Sequence, residues 1–509
     1  MKRIIALVMV LVMTLALFAG CKKKVEKQDA DISREEIKSA ATNLFGANTA
    51  SDKTTGDDKT SDDKTSEDKT SGGNNAGNNT EVTIRFYHTM GANLREVLEI
   101  YIEEFNKLYP NIHIEHEQVG GYDDVRDQIS TEITVGDQPN IAYCYPDHVA
   151  RYNLAKACVS LDNLIDDKTA ITLADGSSSI IGLTDAQKAD FIQGYYNEGK
   201  QFGDGKMYTL PLSKSTEVLY YNKTFFDAHG LTVPTTWEEM EALCAEIKKI
   251  DPQCTPLGYD SESNWFITMT EQYGSPYTKA NGDGSGEFLF NDQKNIDFVK
   301  YFNGWYQKGY VTTQELYGAY TSGLFVATEG RRSYMSIGSS AGATHQRPAM
   351  VDGAYPFEVG IATIPQVNPA NPKVISQGPS LCIFDKADPN EVLASWMFVK
   401  FLCTNVEFQA EFSMASGYVP VLKSVAEHEV YAQYLASADG GDYLTALSAK
   451  VCMDQEAAYY TSPAFNGSSV ARDEVGMLMQ KGLTASGNVD AIIKQAFIDA
   501  VDECEYQSS

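Results

Sequence analysis

From Glu81 onward, segments with hydrophobic period two alternate with segments of period 3.6, and few folds accept that order. Residues 82–87 alternate inward and outward like a strand. Residues 94–108 place apolar side chains at helical spacing and stop before Pro110. Residues 112–119 alternate again, 122–135 return to helical spacing and end at Gly136, and 141–145 form an apolar run. Strands separated by helices imply a mainly parallel sheet with helices on both faces. Ligands of such sheets bind outside the carboxyl ends of the strands. Residues 209–212 and 217–221 read as further strands, with a polar interruption over 213–216. Later strands are expected at 333–337, 359–362 and 381–384, and late helices at 396–403 and 406–412. The stretch exceeds one ordinary domain, so two α/β lobes are expected.

The start of the chain obeys different rules. Lys2 and Arg3 precede an apolar run over 4–18, and Leu17-Phe18-Ala19-Gly20-Cys21 sets small residues before a cysteine. This is the pattern of a secretory signal. The run is shorter than the roughly 20 residues of a spanning helix. Its ending resembles the bacterial lipoprotein signal, which implies cleavage before Cys21, acylation of Cys21 and a place on the outer face of the cell membrane. Beyond it, Ser33, Glu35 and Glu36 suit the start of a short helix over 31–44. Asp-Lys-Thr then recurs through 51–71, followed by a Gly/Asn-rich run to Asn79. So little apolar surface cannot repay the entropy of ordering. Residues 1–20 are therefore expected as signal, 21–80 as anchor and disordered tether, and 81–509 as the folded part.

A formal net charge of −28 suits an extracellular protein and not a nucleic-acid binder, which needs a basic footprint. Beyond Cys21 the cysteines are Cys144, Cys158, Cys244, Cys254, Cys382, Cys403, Cys452 and Cys504, and none forms a Cys-x-x-Cys pair. Zinc is not expected, and most read as small buried hydrophobes. Their pairing stays open, with Cys244 and Cys254 one candidate couple. Gly338-Ser-Ser340-Ala-Gly342 fits the Gly-x-Ser-x-Gly nucleophile elbow, with Ser340 as nucleophile. Hydrolysis would need an acid and then a histidine downstream. His345 is too close in sequence, and His428 sits in a polar stretch. A hydrolase is thus the enzyme alternative, and the expectation is no enzyme. Asn281 to Asp292 mimics a calcium loop, but opens on Asn and closes on Asp where a bidentate Glu belongs. His113, Glu115 and Glu117 share one strand face, with His116 pointing away, and read as solvated.

Several segments together resemble one family. They are Ile84-Arg-Phe-Tyr-His-Thr-Met90, Phe105-Asn-Lys-Leu-Tyr-Pro110, Gly121-Tyr122, Tyr208-Thr-Leu-Pro-Leu-Ser213, Ser215-Thr-Glu-Val-Leu-Tyr-Tyr-Asn-Lys-Thr-Phe-Phe226, Pro234-Thr-Thr-Trp237 and Gly417-Tyr-Val-Pro420. In order and spacing they are similar to the extracellular solute-binding proteins of ABC importers, in the sugar-binding group nearest its glycerol-3-phosphate-binding branch. The resemblance implies an α/β, two-lobed, periplasmic-binding-protein-like (class II) fold that closes on its ligand. It implies a hinge near 214–217, with lobe I at about 81–214 and 327–377 and lobe II at about 215–326 and 378–509.

The same resemblance implies the ligand contacts. They are Tyr122, Asp147, Ser215, Trp265 as a stacking wall, Ser339, Ser340, Gly378 where backbone approaches ligand, Tyr418 and Arg472. The branch has a second tryptophan where this chain has Glu262. An added carboxylate disfavours an anionic phosphate, so an uncharged sugar leads and a polyol phosphate follows. Arg472 forks onto sugar hydroxyls as well as phosphate. A sensor-coupled binding protein is a further possibility. The expected partners are a small sugar, the importer's membrane subunits and the membrane through the lipid anchor. A monomer without cofactor or metal is expected.

Overall fold

The computed structural model describes residues 31–46, 79–281, 283–440 and 444–508. The signal, Cys21 and the repeats of 51–71 lie outside the described residues. Among the described residues no helix is long and apolar enough to cross a membrane.

The first lobe is built on a five-stranded sheet. Val82–His88 runs parallel to Ile112–Gln118 on one side and to Ile141–Cys144 on the other. Val82, Ile84 and Phe86 are buried while Thr83 is exposed, which is the period-two signal of the sequence. Ser380–Ile383 joins antiparallel to Ile141–Cys144, and Thr209–Pro211 pairs antiparallel to it in turn. Helix Ala92–Leu108 buries Leu98, Tyr101 and Phe105, one apolar stripe against the lobe. Helix Pro389–Thr404 is buried without a break from Val392 to Lys400 because it is covered on several sides.

The second lobe is built on a seven-stranded sheet around Ser215–Asn222. Met335–Ser339 pairs antiparallel along one edge of that strand, and Val359–Thr363 and Val374–Gln377 pair antiparallel along the other. Leu257–Tyr259 and Val311–Thr313 extend the sheet in parallel beyond Met335–Ser339. Tyr459–Tyr460 pairs parallel to Val374–Gln377. Trp237, Trp265, Trp305, Phe266 and Phe302 fill its core.

Two expectations are corrected. The first concerns the lobes. Strands Met335–Ser339, Val359–Thr363 and Val374–Gln377 belong to the second lobe, because they hydrogen-bond directly to Ser215–Asn222. Ser380–Ile383 and helices Pro389–Thr404 and Val406–Met414 belong to the first, where Leu381, Ile383, Trp396 and Phe408 join its core. The assignment of 327–377 to lobe I is therefore reversed, as is that of the early part of 378–509 to lobe II. Tyr459–Tyr460 and helices Ser468–Thr484 and Val489–Ser508 do lie in the second lobe.

The second correction concerns the tether. Helix Arg34–Phe45 forms as its capping residues suggest, with Ser33 accepting from Glu36 N and Glu36 answering at Ser33 N. It is not part of a loose spacer. Ile37, Ala40, Ala41 and Leu44 are buried in the core of the first lobe, against Pro389–Thr404. Burying Ile37 and Leu44 contributes roughly 1.5–3 kcal/mol each, which offsets part of the helix's ordering entropy. The chain returns to the same place: Thr80 N donates to Asn43 O at 2.9 Å. Asn111 Nδ2 donates to both Leu44 O and Thr80 O.

Candidate functional site

The chain first passes between lobes at 212–214, and again at 378–379. These crossings touch. Gly378 has φ +100°, and a Cβ there would lie 2.5 Å from Ser213 O and 2.7 Å from Lys214 Cα. Its lack of a side chain serves the approach of two backbones. Lys214 N donates to Val419 O, and Val419 N donates back to Lys214 O at 2.7 Å. Below them the Lys214 ammonium is buried against Glu198. The other Glu198 oxygen accepts from Ser376 Oγ at 3.0 Å and from Thr461 Oγ1 at 2.9 Å. One carboxylate thus ties the first crossing to the strands flanking the later passages. A buried pair of this kind is strongly destabilising when one partner is removed.

Above this hinge, side chains from both lobes meet. Tyr122 opens helix Tyr122–Ile133. Its ring stacks on Tyr145 at 4.4 Å and 20°, and its hydroxyl lies 3.5 Å from that of Tyr418. Burial raises the Tyr122 hydroxyl well above its usual pKa, so it stays a neutral donor and acceptor. From the second lobe, the Arg472 guanidinium lies 5.7 Å over the Tyr145 ring and donates to Asn264 Oδ1. Asp147, in the first turn of helix Pro146–Asn153, faces it with opposite charge.

A small cavity lies between them. Its walls are Tyr145 to Asp147 from the first lobe, Ile375 to Gln377 beside the second crossing, and Thr461, Ser462 and Arg472 from the second lobe. Its volume is about 40 Å³. That holds about three waters, whereas pockets for small ligands measure roughly 300–1,000 Å³. The cavity as it stands is far smaller than such a pocket.

Tyr122, Asp147, Tyr418 and Arg472 are thus brought together. The other expected contacts are not. Trp265 is fully buried in the core of the second lobe, stacked on Tyr259 at 4.6 Å and packed on Phe302. A ring enclosed by its own lobe offers no face to a ligand. Glu262 does not line the cavity either: it accepts from Glu315 N at 3.1 Å. It therefore carries no argument against an anionic ligand. Ser215 is buried in the crossing strand opposite Gln377. Ser339 Oγ caps the next turn by accepting from Ala341 N. Ser340 Oγ is buried and accepts from Thr216 N at 3.3 Å. Its carbonyl packs against Gly417, where a Cβ would lie 2.4 Å away. A hydrolase elbow presents an exposed hydroxyl to a histidine. Ser340 is enclosed, while His345 faces solvent.

The remaining motifs resolve as structure. Asp283 Oδ1 accepts from Ser285 N and Oγ in a hairpin turn, and Asp292 caps helix Gln293–Gln307. His113, Glu115 and Glu117 are exposed, and His116 pairs with His88 at 2.9 Å. The described cysteines are free and buried.

Sequence reasoning missed Tyr145, Gln377, Thr461, Ser462 and Asn264. A usable signal existed for three of them. Tyr145, Gln377 and Ser462 lie at or just beyond the carboxyl ends of strands Ile141–Cys144, Val374–Gln377 and Tyr459–Tyr460, where α/β sheets place ligands.

Known proteins resemble this arrangement. The family model described as bacterial extracellular solute-binding protein matches residues 101–438. The chain is 25% identical over 372 residues to the sn-glycerol-3-phosphate-binding periplasmic protein of Yersinia pseudotuberculosis, covering 71% of this chain and 79% of the relative. The corresponding protein of Salmonella typhimurium is 24% identical over 383 residues, covering 71% and 80%. Among solved structures, the glycerophosphocholine complex of UgpB from Mycobacterium tuberculosis superposes with TM-score 0.66 and 18% identity, over 84% of this chain and 98% of that one. A substrate-binding protein from Listeria monocytogenes in complex with cycloalternan superposes with TM-score 0.64 and 18% identity, over 84% and 98%. These likenesses place the fold among two-lobed binding proteins.

Proposed function

Since the chain belongs to the bacterial extracellular solute-binding proteins, we propose that it captures a carbohydrate in the cleft between its lobes and delivers it to an ABC importer, held at the cell surface by a lipid on Cys21. The observation that carries this reading is the meeting of Tyr122, Tyr145 and Tyr418 with Arg472 across the hinge. Stacked rings offer flat apolar faces, and a few polar groups fix orientation, which is what a sugar ring requires. Closure excludes water and strengthens those polar contacts. No step of bond making is needed, and the chain acts as a binder.

A polyol phosphate is the second reading. Arg472 faces the cavity, and the relatives' names specify sn-glycerol 3-phosphate. Against it stands Asp147 on the facing wall.

Calorimetry with maltotriose, maltose, sn-glycerol 3-phosphate and glycerophosphocholine separates the two. A bound sugar at 100 times its Kd should stabilise the protein by about 2.7 kcal/mol and be recovered unchanged. Tight binding of the phosphates alone would replace the sugar reading, and turnover of any of them would end the binder reading. Mass analysis of the protein expressed in a bacterium reads the co-purified solute and the acyl mass on Cys21 together.

A further inference from the structure

Two polar atoms on the cavity wall have no protein partner. Gln377 Oε1 and Ser462 Oγ are both buried, and neither makes a hydrogen bond among the described residues. The Tyr460 hydroxyl lies near Ser462 without completing a bond to it. Elsewhere on this wall the polar groups are satisfied: Ser376 and Thr461 both donate to Glu198. A buried polar atom left unpaired is destabilising, so one such atom needs an explanation and two on one wall need a common one.

Their placement supplies it. Gln377 ends the strand that leads into the second crossing, opposite Ser215 of the first. Ser462 follows Tyr459–Tyr460, which runs parallel to Val374–Gln377. Both residues share the cavity with Tyr145 and Arg472. One orphan is a pure acceptor and the other is a hydroxyl that can donate. Vicinal hydroxyls present a complementary pair, one donating and one accepting.

We propose that Gln377 and Ser462 form a hydroxyl-reading subsite beside the hinge, which accepts a hydrogen bond from one hydroxyl of a bound polyol and donates to its neighbour. The proposal rests on solute capture in this cleft and names two residues that read the solute. Both residues stand on the second lobe, one at the end of the strand that leads into the second crossing and one just beyond its parallel neighbour, so a ligand that fills the subsite is held on one wall of the cleft.

The test uses Gln377→Met and Ser462→Ala, which keep shape and remove the orphaned atoms. If the atoms are reserved for ligand, each change should raise the ligand-free Tm by about 1–3 °C, since it removes an unpaired buried group. Each should also weaken binding of maltotriose or sn-glycerol 3-phosphate about 3–10-fold, the loss of one hydrogen bond. A fall in ligand-free Tm overturns the proposal, because the atoms would then serve the fold. A raised Tm with unchanged affinity overturns it too. Failure of both probes to bind the wild-type protein counts against the capture reading, and the ligand-free Tm still decides the subsite.

Discussion

At Glu217 one carboxylate oxygen accepts the Tyr259 hydroxyl at 2.7 Å, and the other is buried near Asn264 with no completed hydrogen bond among the described residues. Burial pushes this acid up to about 8. The folded state therefore holds a proton that the unfolded state has released between about pH 4.5 and 8. Stability falls with pH wherever the folded state binds more protons, so this group should lower stability as pH rises through that window. Glu217→Gln keeps the shape and cannot titrate. Its Tm should hold steadier than that of the wild type between pH 5 and pH 8, as read by scanning calorimetry; parallel profiles would refute the assignment. Trp265 shows what sequence could not reveal at this scale. A tryptophan near a strand end reads the same whether it faces a ligand or the core, and only packing on Tyr259 and Phe302 separates the two. Tyr122 and Tyr418 were legible through the resemblance that Gly121-Tyr122 and Gly417-Tyr-Val-Pro420 carry.

Helices carry the contact across the cleft. Arg126 of Tyr122–Ile133 reaches Asp473 of Ser468–Thr484 at 3.2 Å. In its own lobe the same guanidinium is held by Asp123 at 3.1 Å and Asp127 at 2.9 Å. Burial raises Asp473 to about 6, with Arg126 and Arg472 opposing and Asp123 and Asp147 adding to the rise. The cross-lobe tie is thus present above about pH 6 and is lost as pH falls through that value. Asp473 is partly exposed, so the tie is worth at most about 1 kcal/mol, a shift of up to about fivefold in the closed-to-open ratio. Asp473→Asn should enlarge the radius of gyration in X-ray scattering at pH 7.5 toward the wild-type value at pH 5. A variant as compact as the wild type at both pH values would remove the pair from closure. Most strands and helices were legible from their periods, but their lobes were not. Buried strands such as Val374–Gln377 and Ser380–Ile383 are apolar alike, and pairing partners distant in sequence decide where each belongs.

Among the described residues, the two lobes have separate cores and share a seam that includes Lys214, Glu198, Ser376 and Thr461. Such a design lets one lobe rotate on the other while each stays packed. The helix Arg34–Phe45 adds a different kind of modularity. Asn43 and Thr80 are joined by a backbone hydrogen bond, so the described segments on either side of 47–78 meet at one point. A protease that cuts between them would divide the chain in sequence and leave the helix seated in space. The protein should then behave as two fragments that co-migrate under native conditions and part in denaturant. By the same logic, a chain begun at Asn79 should recover its Tm when a synthetic peptide of residues 31–46 is added. The same peptide with Ile37→Asp should fail to do so, and equal rescue by both peptides would show that the helix is not held by its apolar face. The first lobe is in this sense a receptor for its own leading segment, and fragment complementation can measure how tightly it holds it.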